Sequence, residues 1–387
     1  GLFIWNPYPL QYLELKSYDT LIMSTEPVQN ENILIVDLDE DLIKTYEGYP
    51  LPRSLYAELI TKTNAVPGIT VLMPDSDIRG KENDLTLSSA MMKVPTVLAS
   101  AASTQSSKES LHVGTAQLGG DPLPWLYEYP GILRTESTLE LSRKGLGLIT
   151  ATPEIDGVTR RIPLVVNVQS RLYPAFALEL LRLAVKDPSY QLKTTPEGID
   201  WIRVPSYPLM NTDANARIFL DWNTNFYKQT GLEFLTNPID APFVIFGVTA
   251  EGVVNPTPTP AGLKYPHEIQ ANILHNLING SAPSTPTWAT GAELLGLLIA
   301  LLLLSFTTRS LYFSVPGLAL IIGGSLAVSW FAFQSSYLFD VSGIILISFL
   351  FWSIESFRNF ITQYLLRLQI KQQFGTYVSP DLVKKLQ

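Results

Sequence analysis

Three apolar segments follow one another near the end of the chain: AELLGLLIALLLLSFTT at 292–308, LYFSVPGLALIIGGSLAVSWFAFQ at 311–334 and YLFDVSGIILISFLFWSIESF at 337–357. A bilayer core of roughly 30 Å requires about 20 mainly apolar residues per helix, and each segment comes close to that length. Buried helices of a soluble protein are the alternative. They fit less well, because Pro316 lies inside the second segment and Trp330 and Trp352 lie near segment ends. We therefore predict an all-α transmembrane block of three helices over 290–357.

Charged residues next to these segments predict their orientation. The connector before the second segment contains Arg309, whereas the connector before the third, Ser335-Ser336, contains no Lys or Arg. Five basic residues follow the third segment: Arg358, Arg367, Lys371, Lys384 and Lys385. Because Lys and Arg are enriched on the cytoplasmic side, we expect residues 13–289 to be extracytoplasmic and residues 358–387 to be cytoplasmic. This predicts a multi-pass protein of the cell (inner) membrane, with the lipid bilayer as a direct partner.

Composition restricts what the outer part can be. The formal net charge of the chain is −8, and the acidity lies almost wholly before residue 290. We therefore expect no nucleic-acid partner for this part. The chain has no Cys, which excludes a disulfide framework, a thiolate metal site and a cysteine nucleophile. The outer part must instead be stabilised by an ordinary hydrophobic core, for which its length is sufficient.

The first residues are apolar and aromatic. We interpret GLFIWNPYPLQY, residues 1–12, as the end of a possible N-terminal anchor helix that Pro7 and Pro9 close. Trp5 and Tyr8 would then lie at the membrane interface, where aromatic residues are enriched. An ordinary loop or strand is the alternative.

The outer part alternates between strand-like and helix-like segments. Residues 33–39 (ILIVDLD) form a nearly continuous apolar run, as expected for a strand that is covered on both faces. A helix over 53–64, a strand over 69–73, a helix over 85–92 and a strand over 96–101 follow. Further strands are predicted at 145–151, 162–168, 202–204, 216–220 and 243–247, and further helices at 175–186 and 268–279. This order predicts an α/β extracellular domain over 13–285, with a mainly parallel mixed sheet and flanking helices.

Carboxylates lie at the predicted ends of the first two strands. They are Asp37, Asp39, Asp75 and Asp77, and open α/β sheets place their ligands at such strand ends. Such a cluster is able to hold Mg²⁺ or Ca²⁺, but helix capping and pairing with Arg53 or Arg79 explain it better. We expect no metal site, and we name four residues as ligand-binding candidates: Asp39, Arg53, Asp75 and Arg160.

The sequence contains no catalytic motif. His267 and His275 are eight residues apart without a metal-binding spacing, and His112 lies in a predicted loop. Gly145-Leu146-Gly147 lacks the third glycine of a dinucleotide fingerprint, and no serine lies in a nucleophile elbow. We therefore expect a binding or signalling module without catalytic residues.

Several stretches, taken in order, resemble the second family of CHASE-type extracellular sensory domains. This family is found on bacterial cyclases, histidine kinases and serine/threonine kinases, and it typically precedes a cluster of membrane helices. The similar stretches are ILIVDLDEDL at 33–42, YPLPR at 49–53, DGVTRRIPL at 156–164, YPAFALELLRLA at 173–184, VIFGVTAEG at 244–252 and IQANILHNLINGSAP at 269–283. The polar character of 68–80 departs from the usual pattern of the family.

The last residues carry a second resemblance. FGTYVSPDLV at 374–383 resembles the segment that leads into class III nucleotide cyclase domains. The resemblance implies a cytoplasmic linker helix over 358–387 and a homodimer, because these cyclases build their active sites between two catalytic domains. It also implies signal-coupling roles for Phe374, Tyr377, Val378 and Pro380. Mg or Mn with ATP is expected in a catalytic domain beyond Gln387, and no cofactor is expected in this chain.

The residues before that segment fit this picture. Ile361, Leu365 and Leu368 form a short heptad-like stripe that could pair two chains. A lone helix on the membrane surface is the alternative.

The leading hypothesis is the sensory and transmembrane portion of a receptor adenylate cyclase. Such an enzyme converts ATP to cyclic AMP and pyrophosphate, but no active site lies within these 387 residues. The outer domain would respond to an unknown extracytoplasmic ligand or envelope partner. Two alternatives remain: the sensor of a membrane kinase, and a non-catalytic membrane anchor or assembly protein.

Overall fold

The computed structural model describes residues 7–107 and 114–377, without the side chains of Leu311 and of 374–377. The chain divides into two compact units: Ile22–Ser284 on the one hand, and Gly1–Leu21 with Thr285–Gln387 on the other.

Within the described residues the strands are β1 Val28–Leu38, β2 Val66–Ile69, β3 Val97–Ser100, β4 Ala102–Ser103, β5 Gly114–Gly119, β6 Glu128–Tyr129, β7 Gly131–Ile132, β8 Gly145–Leu148, β9 Arg161–Pro163, β10 Val165–Val168, β11 Arg171–Pro174, β12 Ser189–Thr195, β13 Gly198–Arg203, β14 Met210–Asn211, β15 Arg217–Phe219, β16 Thr224–Thr230, β17 Phe243–Val248, β18 Thr257–Thr259 and β19 Gly262–Lys264. The helices are α1 Tyr8–Met23, α2 Glu40–Thr45, α3 Arg53–Thr61, α4 Lys81–Lys93, α5 Ser137–Ser142, α6 Phe176–Ala184, α7 Gly231–Thr236, α8 Pro266–Asn279, α9 Ala289–Thr307, α10 Leu311–Gln334 and α11 Ser342–Tyr377.

The first unit is built on a parallel sheet of six strands in the order β16-β1-β17-β2-β3-β8. All five pairs of neighbours in it are parallel. Smaller sheets, among them β14-β13-β12-β5 and β11-β10-β6, mix parallel and antiparallel pairs. The predicted α/β domain with a mainly parallel mixed sheet is therefore confirmed.

Helices cover both faces of the large sheet. Leu34, Val36 and Leu38 pack in one hydrophobic cluster with residues of α3 and α4. The side chains of Ile33 and Ile35 alternate to the opposite face, where α8 contacts β1 and β17 and α6 contacts β3 and β8. Because both faces are covered, the central strands are apolar at nearly every position, as residues 33–36 predicted.

Several strand predictions were wrong in their bounds, since β1 begins five residues before the predicted 33–39 and β13 four residues before the predicted 202–204. The second strand ends at Ile69, where it was expected to begin, and Val71 and Leu72 leave the sheet to line cavities at its edge. The predicted strand 162–168 is two strands, since β9 pairs with β15 whereas β10 pairs with β11. Of the loop expected at 103–110, residues 108–110 lie outside the described part of the chain.

The second unit contains three helices that are long and apolar enough to cross a membrane. They pack through small and aliphatic side chains, with Ala300 and Leu304 of α9 against Leu318 and Ile321 of α10 and Ile344 of α11. The third helix begins at Ser342 instead of Tyr337, because the Asp340 carboxylate accepts hydrogen bonds from the Ser342 backbone N–H at 2.8 Å and its hydroxyl at 2.6 Å. This helix then continues without a break through the boundary predicted at 357–358 and reaches Tyr377.

The first described helix, α1, runs from Tyr8 to Met23 and passes through the boundary predicted at residue 12, with Pro9 in its first turn. The end of an anchor helix at 1–12 stays a prediction. Proline is favoured in a first helical turn, where its missing N–H has no helical partner to lose. Residues 1–6 lie outside the described part.

Candidate ligand site at the edge of the parallel sheet

Two neighbouring cavities lie at the carboxyl end of the large sheet, where α/β proteins bind their ligands. The first, here called the Arg53 cavity, has a volume of about 230 Å³ and is lined by residues 49–51, Arg53, Tyr56 and residues 71–78. The second, here called the His267 cavity, has a volume of about 200 Å³. Tyr49, Val71 and Leu72 line both cavities, so the two spaces share a wall.

The His267 cavity is closed on one side by the first turn of α8. His267 is fully buried, and its Nε2 lies 2.7 Å from Oδ1 of Asp37, which is near the carboxyl end of β1. Because a carboxylate only accepts hydrogen bonds, Nε2 donates to Asp37. Nδ1 is buried and has no hydrogen-bond partner within the described residues.

A glycine makes this arrangement possible. Gly247 pairs with Asp37 across β17 and β1. A Cβ atom at position 247 would lie only 2.1 Å from Nδ1 of His267. The imidazole therefore packs directly on the backbone of β17. Because Gly247 has no side chain, the first turn of α8 is able to lie close to the strand ends.

The start of α8 is further fixed by charge. Glu268 accepts a hydrogen bond from the Tyr265 backbone N–H at 2.8 Å and pairs with Lys228 of β16. Burial raises the pKa of the Glu268 carboxyl, but these hydrogen bonds outweigh it and hold the pKa below its usual range. Glu268 is therefore ionised at neutral pH and ties α8 to the edge strand.

The Arg53 cavity is organised by an internal ion pair. The Arg53 guanidinium is buried and contacts the Asp84 carboxylate of α4 and the carbonyl oxygen of Asp75. The Arg53 backbone N–H donates to Asp77 Oδ2 at 2.8 Å. These contacts hold the loop between β2 and α4 against α3, and they use one donor on each terminal nitrogen of the Arg53 guanidinium.

The protein-family comparison matches the CHASE2 domain over residues 1–306. The chain belongs to the CHASE2 domain family. Curated proteins and solved structures give no match to it. The match includes every residue of both cavities. CHASE2 is an extracellular sensory domain, and here three apolar helices of membrane length lie in the other unit of the protein.

The CHASE2 structure separates the four predicted ligand-binding residues. Arg53 and Asp75 both line the Arg53 cavity. Asp39 caps α2, accepting the Leu42 backbone N–H at 3.0 Å, and lines neither cavity. Arg160 is fully buried in a bidentate pair with Asp156, with both N···O distances 2.8 Å, and also lines neither cavity. Ligand binding by these residues stays a prediction.

Sequence reasoning passed over His267 because it considered only a metal-binding role for the histidines. Within the described residues no group of three or more His, Asp or Glu is placed to hold a metal ion. The missed signal was the Pro266-His267-Glu268 start of a helix, together with Asp37 at a strand end. The contact between His267 and Asp37 requires β1 and β17 to be neighbours in the sheet, and that pairing could not be predicted from the sequence.

The predicted signal-coupling residues lie at the far end of the CHASE2 protein. The backbone of α11 is helical through Phe374 and Tyr377. Val378 and Pro380 fall outside the described residues.

Proposed function

We propose that this chain is the sensory and transmembrane portion of a receptor adenylate cyclase, relaying an extracytoplasmic signal to cyclic AMP synthesis. The observation that carries the proposal is the unbroken helix α11, which runs from the membrane block into the cyclase-like segment FGTYVSP. Its 36 residues correspond to about 54 Å at a rise of about 1.5 Å per residue. A bilayer core is only about 30 Å thick, so the helix extends well beyond it.

The charge distribution supports a cytoplasmic position for the end of α11. The connector between α9 and α10 contains Arg309, and Arg358, Arg367 and Lys371 lie on the last part of α11. The connector between α10 and α11 contains Asp340 and no Lys or Arg. By the positive-inside rule, this distribution supports a CHASE2 domain outside the inner membrane and a cytoplasmic segment at 358–387.

An exposed apolar stripe supports a homodimer. Ile361, Leu365 and Leu368 on α11 are between 38% and 52% exposed in the single chain. A helix that enters water with such a stripe gains stability when a second copy covers it, and the spacing fits a parallel coiled coil. Two copies side by side would also place two cyclase domains together, where Mg or Mn with ATP would bind.

Signalling in this proposal requires two arrangements of the outer domain. A ligand or envelope partner shifts the balance between them only if it binds one arrangement more tightly. Helix α8 ends at Asn279, and residues 280–288 are all that separates it from α9 in the chain. A displacement of α8 is therefore the most direct route from the sheet edge to the membrane helices.

The role of the cyclase-like segment is tested by replacing Tyr377 and Pro380 together with Ala in the complete natural protein. We expect the expression level to be unchanged and cyclic AMP synthesis in isolated membranes to fall at least about tenfold, a loss of about 1.4 kcal/mol in coupling. The matched control replaces Gln363 and Gln369, which are exposed on α11, with Ala. Unchanged synthesis in the Tyr377 and Pro380 variant would remove the proposed coupling role.

A further inference from the structure

The His267 cavity differs from the Arg53 cavity in the chemistry of its walls. Six of the ten residues that line it have aliphatic side chains: Val71, Leu72, Ile149, Val248, Val253 and Val254. No Asp, Glu, Lys or Arg is among the described residues that line it. A charged ligand would lose its hydration there without gaining a partner of opposite charge, which is costly. The walls therefore select an uncharged, mainly apolar molecule.

The polar groups on the walls predict one hydrogen bond donor on that molecule. The Thr70 hydroxyl donates its proton to the carbonyl oxygen of Phe246 at 3.0 Å. Its Oγ is therefore able only to accept a hydrogen bond from a ligand. Tyr49 lies on the wall shared with the Arg53 cavity, and desolvation raises the pKa of its hydroxyl, so the side chain stays neutral at physiological pH. Because Thr70 offers an acceptor among apolar neighbours, a ligand with a hydroxyl or amide N–H is favoured over a pure hydrocarbon.

The volume limits the size of the molecule. An apolar cavity of about 150 Å³ is large enough for benzene. The 200 Å³ of this cavity therefore accommodate one ring or a branched aliphatic body with a small substituent.

The position of the cavity connects it with the membrane helices along the chain. Its walls come from the carboxyl ends of β2, β8 and β17 and from Pro266 and His267 in the first turn of α8. His267 is held by Asp37 and rests on Gly247, so α8 cannot move there without changing the cavity. A molecule in the cavity thus contacts the helix that leads directly to α9.

We propose that the His267 cavity binds one small uncharged molecule, a single ring or branched aliphatic body with one hydroxyl or amide N–H, as a stimulus of the outer domain. The binding site is inferred from the geometry alone. The role of its ligand as a stimulus rests on the sensory function proposed above.

The test is a binding measurement on the 387-residue chain in lipid nanodiscs, by fluorine NMR of the probes 4-fluorobenzyl alcohol and 4-fluorobenzoate. We expect saturable binding of the alcohol and binding of the benzoate at least about tenfold weaker, because the anion finds no cation in the cavity. Val254→Phe fills the cavity and should weaken alcohol binding at least about tenfold. Val185→Phe, at a half-buried valine outside both cavities, is the matched control and should bind as the natural chain does. Because this control is measured in the same nanodiscs, it also shows how much of the signal comes from probe dissolved in the lipid.

A second variant keeps the test decisive if Val254→Phe folds poorly. Thr70→Val removes the acceptor at nearly constant volume and should weaken the alcohol while leaving 4-fluorotoluene unchanged. Any one of three results would overturn the inference: no saturable binding of the alcohol, equal binding of alcohol and benzoate, or unchanged alcohol binding in Val254→Phe. None of these readouts involves cyclic AMP, so failure here is distinct from failure of the cyclase proposal.

Discussion

Single buried polar residues determine how the outer domain holds its last helix. His267 and His275 are both buried on α8, but their partners differ in charge. His267 faces the Asp37 carboxylate, whereas Nδ1 of His275 lies 2.7 Å from the amide nitrogen of Asn30 and 3.1 Å from that of Asn279. An amide nitrogen only donates, so Nδ1 of His275 must accept and carry no proton. The two histidines of this helix therefore differ in hydrogen bonding, since Nε2 of His267 donates to a carboxylate whereas Nδ1 of His275 accepts from amides.

Replacement of Gly247 by Ala tests the contact between α8 and β17. The new Cβ would lie 2.1 Å from Nδ1 of His267, and the imidazole would have to move away from Asp37. We expect a loss of about 1–3 kcal/mol in the free energy of unfolding, measured by thermal unfolding of the chain in detergent. Gly120→Ala is the matched control, since its nearest neighbour atom would be 3.9 Å away. Equal unfolding temperatures for the two variants would contradict the proposed packing.

His275 gives the stability of the outer domain a pH dependence. Burial lowers the pKa of its imidazole below the usual range, and Asp221 only partly opposes this. The unfolded chain binds a proton near pH 6.5, but the folded chain does so only at lower pH. The contribution of His275 is thus present above about pH 6.5 and is lost as the pH falls through the folded pKa, at up to about 1.4 kcal/mol per pH unit.

His275→Gln keeps an acceptor for Asn30 and removes the titration. We expect the unfolding temperature of this variant to change less than that of the natural chain between about pH 6.5 and pH 5. The measurement is thermal unfolding over that pH series. An unaltered slope would show that other groups cause the pH dependence.

At the scale of elements, periodicity predicted which segments are helices and strands better than it predicted their partners. The apolar run at 33–36 predicted a strand covered on both faces, and β1 is central with helices on each side. Hydrophobicity alone placed the second strand at 69–73 instead of 66–69, because the apolar walls of a cavity and the apolar faces of a sheet have similar compositions. The placement of β17 between β1 and β2 depends on contacts between segments some 200 residues apart. For that reason the Asp37–His267 pair could not be predicted from either residue's neighbours.

The last part of α11 carries the prediction for the homodimer. Leu365→Glu with Leu368→Glu places like charges on the exposed apolar stripe, which should weaken self-association at least about tenfold. Gln363→Glu with Gln369→Glu adds the same charge at exposed polar positions and serves as the control. Analytical ultracentrifugation in detergent measures the association. Equal association of both variants would exclude this stripe as the dimer contact.

At the scale of the whole molecule, the sequence predicted a chain of sensor, membrane block and linker. The family match confirms the sensory domain, and three helices of membrane length confirm the predicted block. The output stays a proposal, because it depends on the segment FGTYVSP and on the helix that leads into it.

The most direct test of the receptor cyclase proposal is the conversion of ATP to cyclic AMP by isolated membranes. Membranes that contain the complete natural reading frame are compared with membranes that contain a frame stopped after Gln387, with Mg²⁺ and Mn²⁺ each supplied and expression confirmed. We predict cyclic AMP synthesis in the first preparation and none above background in the second. Absence of synthesis in both preparations would contradict the proposal and favour a kinase sensor or a membrane anchor.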